Sequence, residues 1–311
     1  HMPEVTQLIG TIYRVSLMLT PLIPLHVHLV RGERYAVWID SGVKAMFPQL
    51  MVALQSANVA PEKVRFILHT HSHHDHIGCN AQMQDATGCL IAAPATYAAW
   101  HVDFERHYQE FARPVPDLIP DTPALRDEVL SVLDAPRPVD IYLEEGVTFD
   151  LGDAVLEAIS LPGHMREEFG WLDRTSGVLI LGDAITGLDW PIFHGHLSVE
   201  GYRQSLAKLK RLLDAGEVQH VLFAHFPPMS PAQTRQLIAD AERYIAQVEA
   251  TIIRVLAGEP AVTLEAIWTQ TCARMGRQRE FRALGTVLAH LQDLQARSLV
   301  EELDDGRYAL R

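Results

Sequence analysis

At 311 residues, with 48% apolar and 21% charged side chains, the chain can bury one large core and a smaller second unit, which excludes extended disorder. A formal net charge of −13 makes nucleic acid a disfavoured partner, because polyanions are usually met by a basic face. Cys79, Cys89 and Cys272 are scattered and form no paired motif, which fits a reducing cytoplasm, and no apolar run nears the roughly 20 residues a membrane span needs.

β-Rich runs at 9–15, 25–30 and 35–39, separated by Pro and Gly, predict an antiparallel meander, and 43–57 a helix. Residues 64–68 form an apolar strand that runs straight into a histidine cluster. A short helix at 80–87 and a strand at 89–92 follow. Over about 95–145 the rhythm breaks: helical stretches at 96–112 and 124–133 flank a loop with Pro114, Pro116, Pro120 and Pro123, which reads as a helical insertion or lid. Strands resume at 147–151, 155–161, 170–173 and 178–181, before a helix at 198–213 and a last strand at 220–224. Ser230, Pro231 and Gln233 give a capping box with proline at the first helical position, opening a helix that runs to 256. Gly258-Glu259-Pro260 marks a boundary. Helices at 263–274 and 279–297 then precede a hairpin around Asp305-Gly306. Helix, helix and β-wing make a winged-helix-like module over 258–311, beside a main domain over 1–257.

Thr70-His71-Ser72-His73-His74-Asp75-His76 places four histidines and a carboxylate in seven residues directly after the 64–68 strand. Neutral imidazole nitrogen and carboxylate oxygen are the usual ligands of zinc and neighbouring first-row metals. Alternation along an extended loop points His71 and His73 toward one ion, leaving Asp75 and His76 for a second. Three more apolar strands each end in a ligand type: 155–161 leads to Gly163-His164, 178–181 to Gly182-Asp183, and 220–224 to His225. Strand ends of a layered α/β protein converge on one rim, where ligands bind.

The series T-H-x-H-x-D-H, G-H, G-D and a final H resembles the metallo-β-lactamase superfamily over residues 8 to 230. That resemblance implies a four-layer αβ/βα sandwich, an α/β fold, with a metallo-β-lactamase-like catalytic domain. It also implies His71, His73 and His164 on one metal, Asp75, His76 and His225 on the other, and Asp183 bridging. The tail from 258 is similar to the winged-helix-like extension of a subgroup that includes nucleases and thioesterases. From Ala250 onward, however, eight Arg stand against eight Asp and Glu, so this wing lacks the positive excess expected of a DNA reader. Packing or homodimerisation is the expected role of the tail. Two departures from the family pattern stand out: Met165-Arg166-Glu167-Glu168-Phe169 after His164, and Phe226-Pro227-Pro228 after His225.

The expected chemistry is hydrolysis of a small organic ester, thioester or lactone by water activated between two divalent ions, zinc first, with iron or manganese as alternatives. The alternative functions are RNA phosphodiester cleavage and iron-dependent redox chemistry. Asp75 is the catalytic candidate, orienting the nucleophile and passing a proton to the leaving group. Asp40, in a turn after the third strand, is expected to accept from a ligand imidazole. His194 and His196 are expected to line the substrate pocket, and His74 to point away from the ions. His26 and His28 read as hydrogen-bonded structural residues, and the aromatic run Trp100 to Phe111 as packing of the insertion.

Overall fold

The structure, a computed structural model, describes residues 4–186, 190 and 192–311. One sheet has seven strands in spatial order β1 (Glu4–Gln7), β2 (Ile12–Thr20), β3 (Ile23–Arg31), β4 (Ala36–Ile39), β5 (Val64–Leu68), β6 (Leu90–Pro94) and β7 (Ile141–Leu143). Its first four strands form an antiparallel meander, and β4 to β7 run parallel. A second sheet of five strands is ordered in reverse, from β12 (His220–Phe223) through β11 (Val178–Leu181), β10 (Phe169–Asp173) and β9 (Val155–Ser160) to β8 (Thr148–Asp150).

Alternation along the strands explains the layering, because successive side chains face opposite sides of a sheet. In β4, Val37 and Ile39 join a core between the sheets, while Ala36 and Trp38 face outward onto helix α1 (Phe47–Ser56). In β11, Val178 and Ile180 face the same central core. Leu179 and Leu181 turn the other way. Crossing each sheet's outer face are α1 with α3 (Asn80–Thr87) on one side, and α6 (Val199–Asp214) with α7 (Pro231–Leu256) on the other. The product is the four-layer sandwich expected from the sequence.

Two edge strands escaped the sequence reading: β1 is polar, and β7 has three residues, too few for a periodic signal. The four-residue helix α2 (His74–Ile77) was read as loop. The helix expected at 96–112 is split, a 3-10 turn at Ala98–His101 preceding α4 (Phe104–Ala112). The split falls at Asp103, whose carboxylate accepts from the Arg106 N–H and caps the later helix. The insertion also holds α5 (Pro123–Leu130), and the tail comprises α8 (Leu264–Arg274), α9 (Phe281–Ala296) and the hairpin β13 (Val300–Glu302) with β14 (Tyr308–Leu310).

A single hydrophobic cluster joins the insertion to the tail. Tyr108 and Val129 from the insertion, Val248 and Ile252 of α7, Ile267 and Trp268 of α8, and Leu284 and Leu291 of α9 share one core. The capping box that opens α7 is present, with Ser230 and Gln233 satisfying each other's backbone N–H groups. Among the described residues, no helix is long and apolar enough to cross a membrane.

Candidate metal centre and its cavity

The chain arrives at the site from the C-terminal ends of four strands. His71 and His73 follow β5, His164 follows β9, Asp183 follows β11 and His225 follows β12. His73 keeps extended dihedrals (φ −66°, ψ 153°) as the residue that caps α2, so the helical turn swings Asp75 and His76 away from the direction of His71 and His73. A short helix, rather than continued alternation, therefore separates the two groups of donors.

Ligand atoms of His71, His73, His164 and Asp183 all lie within 4.8 Å of one another, and so do those of Asp75, His76 and His225. His73 Nδ1 stands 3.2 Å from His71 Nε2 and 3.0 Å from His164 Nε2. Asp183 faces both groups: its Oδ2 is 3.4 Å from His164 Nε2 and its Oδ1 is 3.3 Å from His225 Nε2 and 3.6 Å from His76 Nε2. Asp75 Oδ2 closes the second group at 3.4 Å from His225 Nε2 and 3.7 Å from His76 Nε2. Four tetrahedral ligands at about 2.1 Å from an ion stand about 3.4 Å apart, the spacing seen here. His76 Nε2 and Asp183 Oδ1 are moreover buried without a hydrogen-bond partner. Such orphaned atoms are costly in an apolar setting, and a shared cation satisfies both. The donor set is thus compatible with divalent metal binding.

Hydrogen bonds behind the donors fix which nitrogen each ring presents. His164 Nδ1 donates to the Gly195 carbonyl and His225 Nδ1 to that of Pro24, each at 2.6 Å, leaving both Nε2 atoms facing inward. His76 Nδ1 donates to Asp40 Oδ2 at 2.9 Å. Asp40 also accepts from the Thr70 N–H and the Thr70 hydroxyl, both at 2.8 Å. It adopts φ 62°, a left-handed conformation that Asp tolerates better than most residues. With its hydroxyl hydrogen given to Asp40, Thr70 can accept from His71 Nδ1 at 3.1 Å. Gly182 makes this approach feasible, since a β-carbon there would sit 2.3 Å from Thr70 Oγ1 and 3.1 Å from His71 Nδ1.

Electrostatics divide the histidines. Burial, reinforced by neighbouring imidazoles, pushes His71 and His73 well below the ordinary histidine range. Burial also opposes protonation of His76, but the carboxylates of Asp75, Asp40 and Asp183 outweigh it and lift that ring to about 10. The second group therefore carries concentrated negative charge that attracts a cation.

Three features had no sequence signal. Glu168 is fully buried beneath the site, where Oε1 accepts from the Asp183 N–H at 2.8 Å and lies 3.7 Å from His71 Nδ1; burial and the Asp183 charge raise its carboxyl well above the usual range. A buried polar chain backs the histidine loop: His69 Nε2 donates to Asn80 Oδ1 at 2.9 Å, Asn80 Nδ2 meets His101 Nδ1 at 3.2 Å, and His101 Nε2 meets Ser72 Oγ at 2.9 Å. The third is the share of the cavity wall that comes from the tail. A cavity of about 520 Å³ opens over Asp75, Asp183, His164 and His225. Its sides come from the adjoining ends of β2 and β3 (Leu19, Ile23), the insertion (Trp100, Phe111, Val132) and α9 (Phe281, Leu288).

His194 lines this cavity, its ring stacked parallel to His164 at 5.3 Å. His196, expected beside it, faces the other way because its Nε2 pairs with His290 Nε2 of α9 at 2.9 Å. His74 belongs to neither donor group, yet it is buried on the cavity wall against Phe111. His26 pairs with Ser16 at 2.8 Å.

Residues 23–215 match the profile of the Metallo-beta-lactamase superfamily. An acyl-coenzyme A thioesterase, MBLAC2, from Gallus gallus is 28% identical over 215 residues, covering 65% of this chain and 72% of its own length. The hydroxyacylglutathione hydrolase of Methylococcus capsulatus is 25% identical over 160 residues, 51% of this chain, which spans about half (48%) of that relative. Among solved structures, a metallo-beta-lactamase family protein from Thermus thermophilus superposes with a TM-score of 0.74 at 20% identity, covering 97% of this chain and 99% of its own. The subclass B3 metallo-beta-lactamase BJP-1 of Bradyrhizobium japonicum gives 0.58 at 19% identity, covering 83% of this chain and 97% of its own. At these identities the superpositions establish the fold alone.

Proposed function

The chain belongs to the metallo-beta-lactamase superfamily, and from that premise we propose that it is a metal-dependent hydrolase of acyl thioesters. The observation that carries the reading is Asp183, whose two oxygens face two separate groups of donors on the floor of a largely apolar cavity. The thioester bond, rather than an ester or lactone, is favoured because both named relatives act on acyl thioesters.

In this reading His71, His73, His164 and Asp183 would hold one divalent ion, and Asp75, His76 and His225, with Asp183 shared, would hold the other. Zinc is the first choice, since three imidazoles and a carboxylate at tetrahedral spacing suit it; iron and manganese accept the same donors. Ions held there would lower the pKa of water toward about 7 and polarise the carbonyl of the substrate. The chain's own contribution is placement. Trp100, Phe111, Phe281 and Leu288 exclude water from the acyl group, and the His164 and His225 rings are locked by backbone carbonyls. Asp75 lines the cavity floor, where its carboxylate orients the attacking water and returns the proton to the departing thiolate sulfur.

Purified protein should cleave acyl thioesters, lose that activity with a chelator and recover it on adding zinc. Metal-replete protein that leaves esters, thioesters and lactones all intact would overturn the reading.

A further inference from the structure

Among the described residues, four charged side chains besides the donors line the cavity: Glu110, Glu128, Arg166 and Arg282. Three of them are already engaged. Glu110 accepts from Arg106 Nε at 2.7 Å and from Trp100 Nε1 at 2.6 Å. Arg282 is held between Glu128 at 2.7 Å and Glu280 at 2.8 Å. Arg166 differs: among the described residues no carboxylate pairs with it, and its side-chain hydrogen bond is a 3.4 Å contact to the neutral carboxamide of Gln292 on α9. The neighbouring acid Glu167 does not answer it, because its Oε2 accepts from the Thr96 N–H at 2.8 Å. Arg166 is exposed at the mouth, with the Tyr97 hydroxyl beside its backbone, and lies two residues past His164, at most ~7 Å of chain.

We propose that Arg166 binds an anionic group, carboxylate or phosphate, on the part of the thioester that remains outside the apolar cavity, so that the substrate class is acyl groups carried on an acidic thiol. The inference rests on the thioester reading for its substrate and on Arg166 for its charge. A planar guanidinium offers two parallel N–H donors to either anion, and the Gln292 carboxamide can add a third. Net charge strengthens the case. At −13 the molecule as a whole repels anions, so recruiting one requires a local cation at the entrance, and screening that cation by salt must weaken recruitment.

The test uses the full-length zinc-loaded protein and non-hydrolysable thioethers that share one alkyl group and end in a carboxylate, a phosphate or a neutral amide. Calorimetry should show the anionic ligands binding about tenfold more tightly than the amide at low salt, with the ratio shrinking as salt rises. Arg166→Ala should abolish that ratio, and Arg166→Lys should keep part of it. The proposal is overturned if the amide binds as well as the anions, if Arg166→Ala preserves the ratio, or if that variant weakens all three ligands equally. Turnover of the matching thioesters is scored separately. Hydrolysis without a charge preference sinks the anion site and leaves the thioesterase reading standing, whereas a charge preference without hydrolysis does the reverse.

Discussion

Asp183 and His74 lie within the same cavity and make opposite predictions. Removing the carboxylate in Asp183→Ala takes a donor from both groups, so elemental analysis should find roughly one ion per chain or fewer, with activity lost alongside. His74→Ala should keep its full metal content, since His74 belongs to neither group. Equal metal contents in the two variants would contradict the assignment. His76 allows a test in metal-free protein. Its folded pKa of about 10 exceeds the ordinary 6.5, so its bound proton stabilises the fold fully below about pH 6.5, and that contribution disappears as pH rises through 10. Urea denaturation of metal-free protein should therefore show stability falling over this interval, and less steeply in His76→Gln. Identical slopes would refute the electrostatic picture. His164, Asp183 and His225 stood out as candidate donors because each follows the end of an apolar strand, a position that sequence marks plainly. Glu168 was not, because nothing in Glu167-Glu168 says which carboxylate turns inward; only pairing of β9 with β10 decides that.

Among the secondary-structure elements, long strands with clear alternation and helices with caps could be read from sequence, and short ones could not. Helix α2 has four residues, too few for helical periodicity, yet it is what turns Asp75 and His76 toward the second group. Helix α9 was anticipated as an element but not as a wall of the cavity, since the contact spans more than a hundred residues of chain and depends on how the tail packs. Arg282 is the joint between these parts, linking α9 to Glu128 of α5 and holding Glu280. Burial raises the Glu280 carboxyl above its usual range, so Arg282→Ala leaves that acid without its partner cation. Urea unfolding should register a loss of about 1–3 kcal/mol. A change below a few tenths would mean that the pair only decorates the surface.

Taken as a whole, the chain distributes its core unevenly. The proposed boundary at 257/258 falls between α7 and α8, while one apolar cluster continues across it from Tyr108 to Tyr308. Truncation after residue 257 should therefore expose buried surface on α4 and α7 and yield aggregated protein; a soluble truncated chain with native near-ultraviolet dichroism would show that the main domain folds alone. On the same scale, the net charge of −13 predicts that a nuclease assay finds no RNA cleavage even at low salt, where phosphate binding would be strongest. The cavity's divided parentage has a further consequence. The candidate donors are carried on loops after strands, whereas much of the cavity wall comes from helices contributed by remote stretches of the polypeptide. Directed evolution toward bulkier acyl groups should accordingly collect its changes around residues 97–132 and 281–292, reshaping the container while the reactive machinery stays untouched.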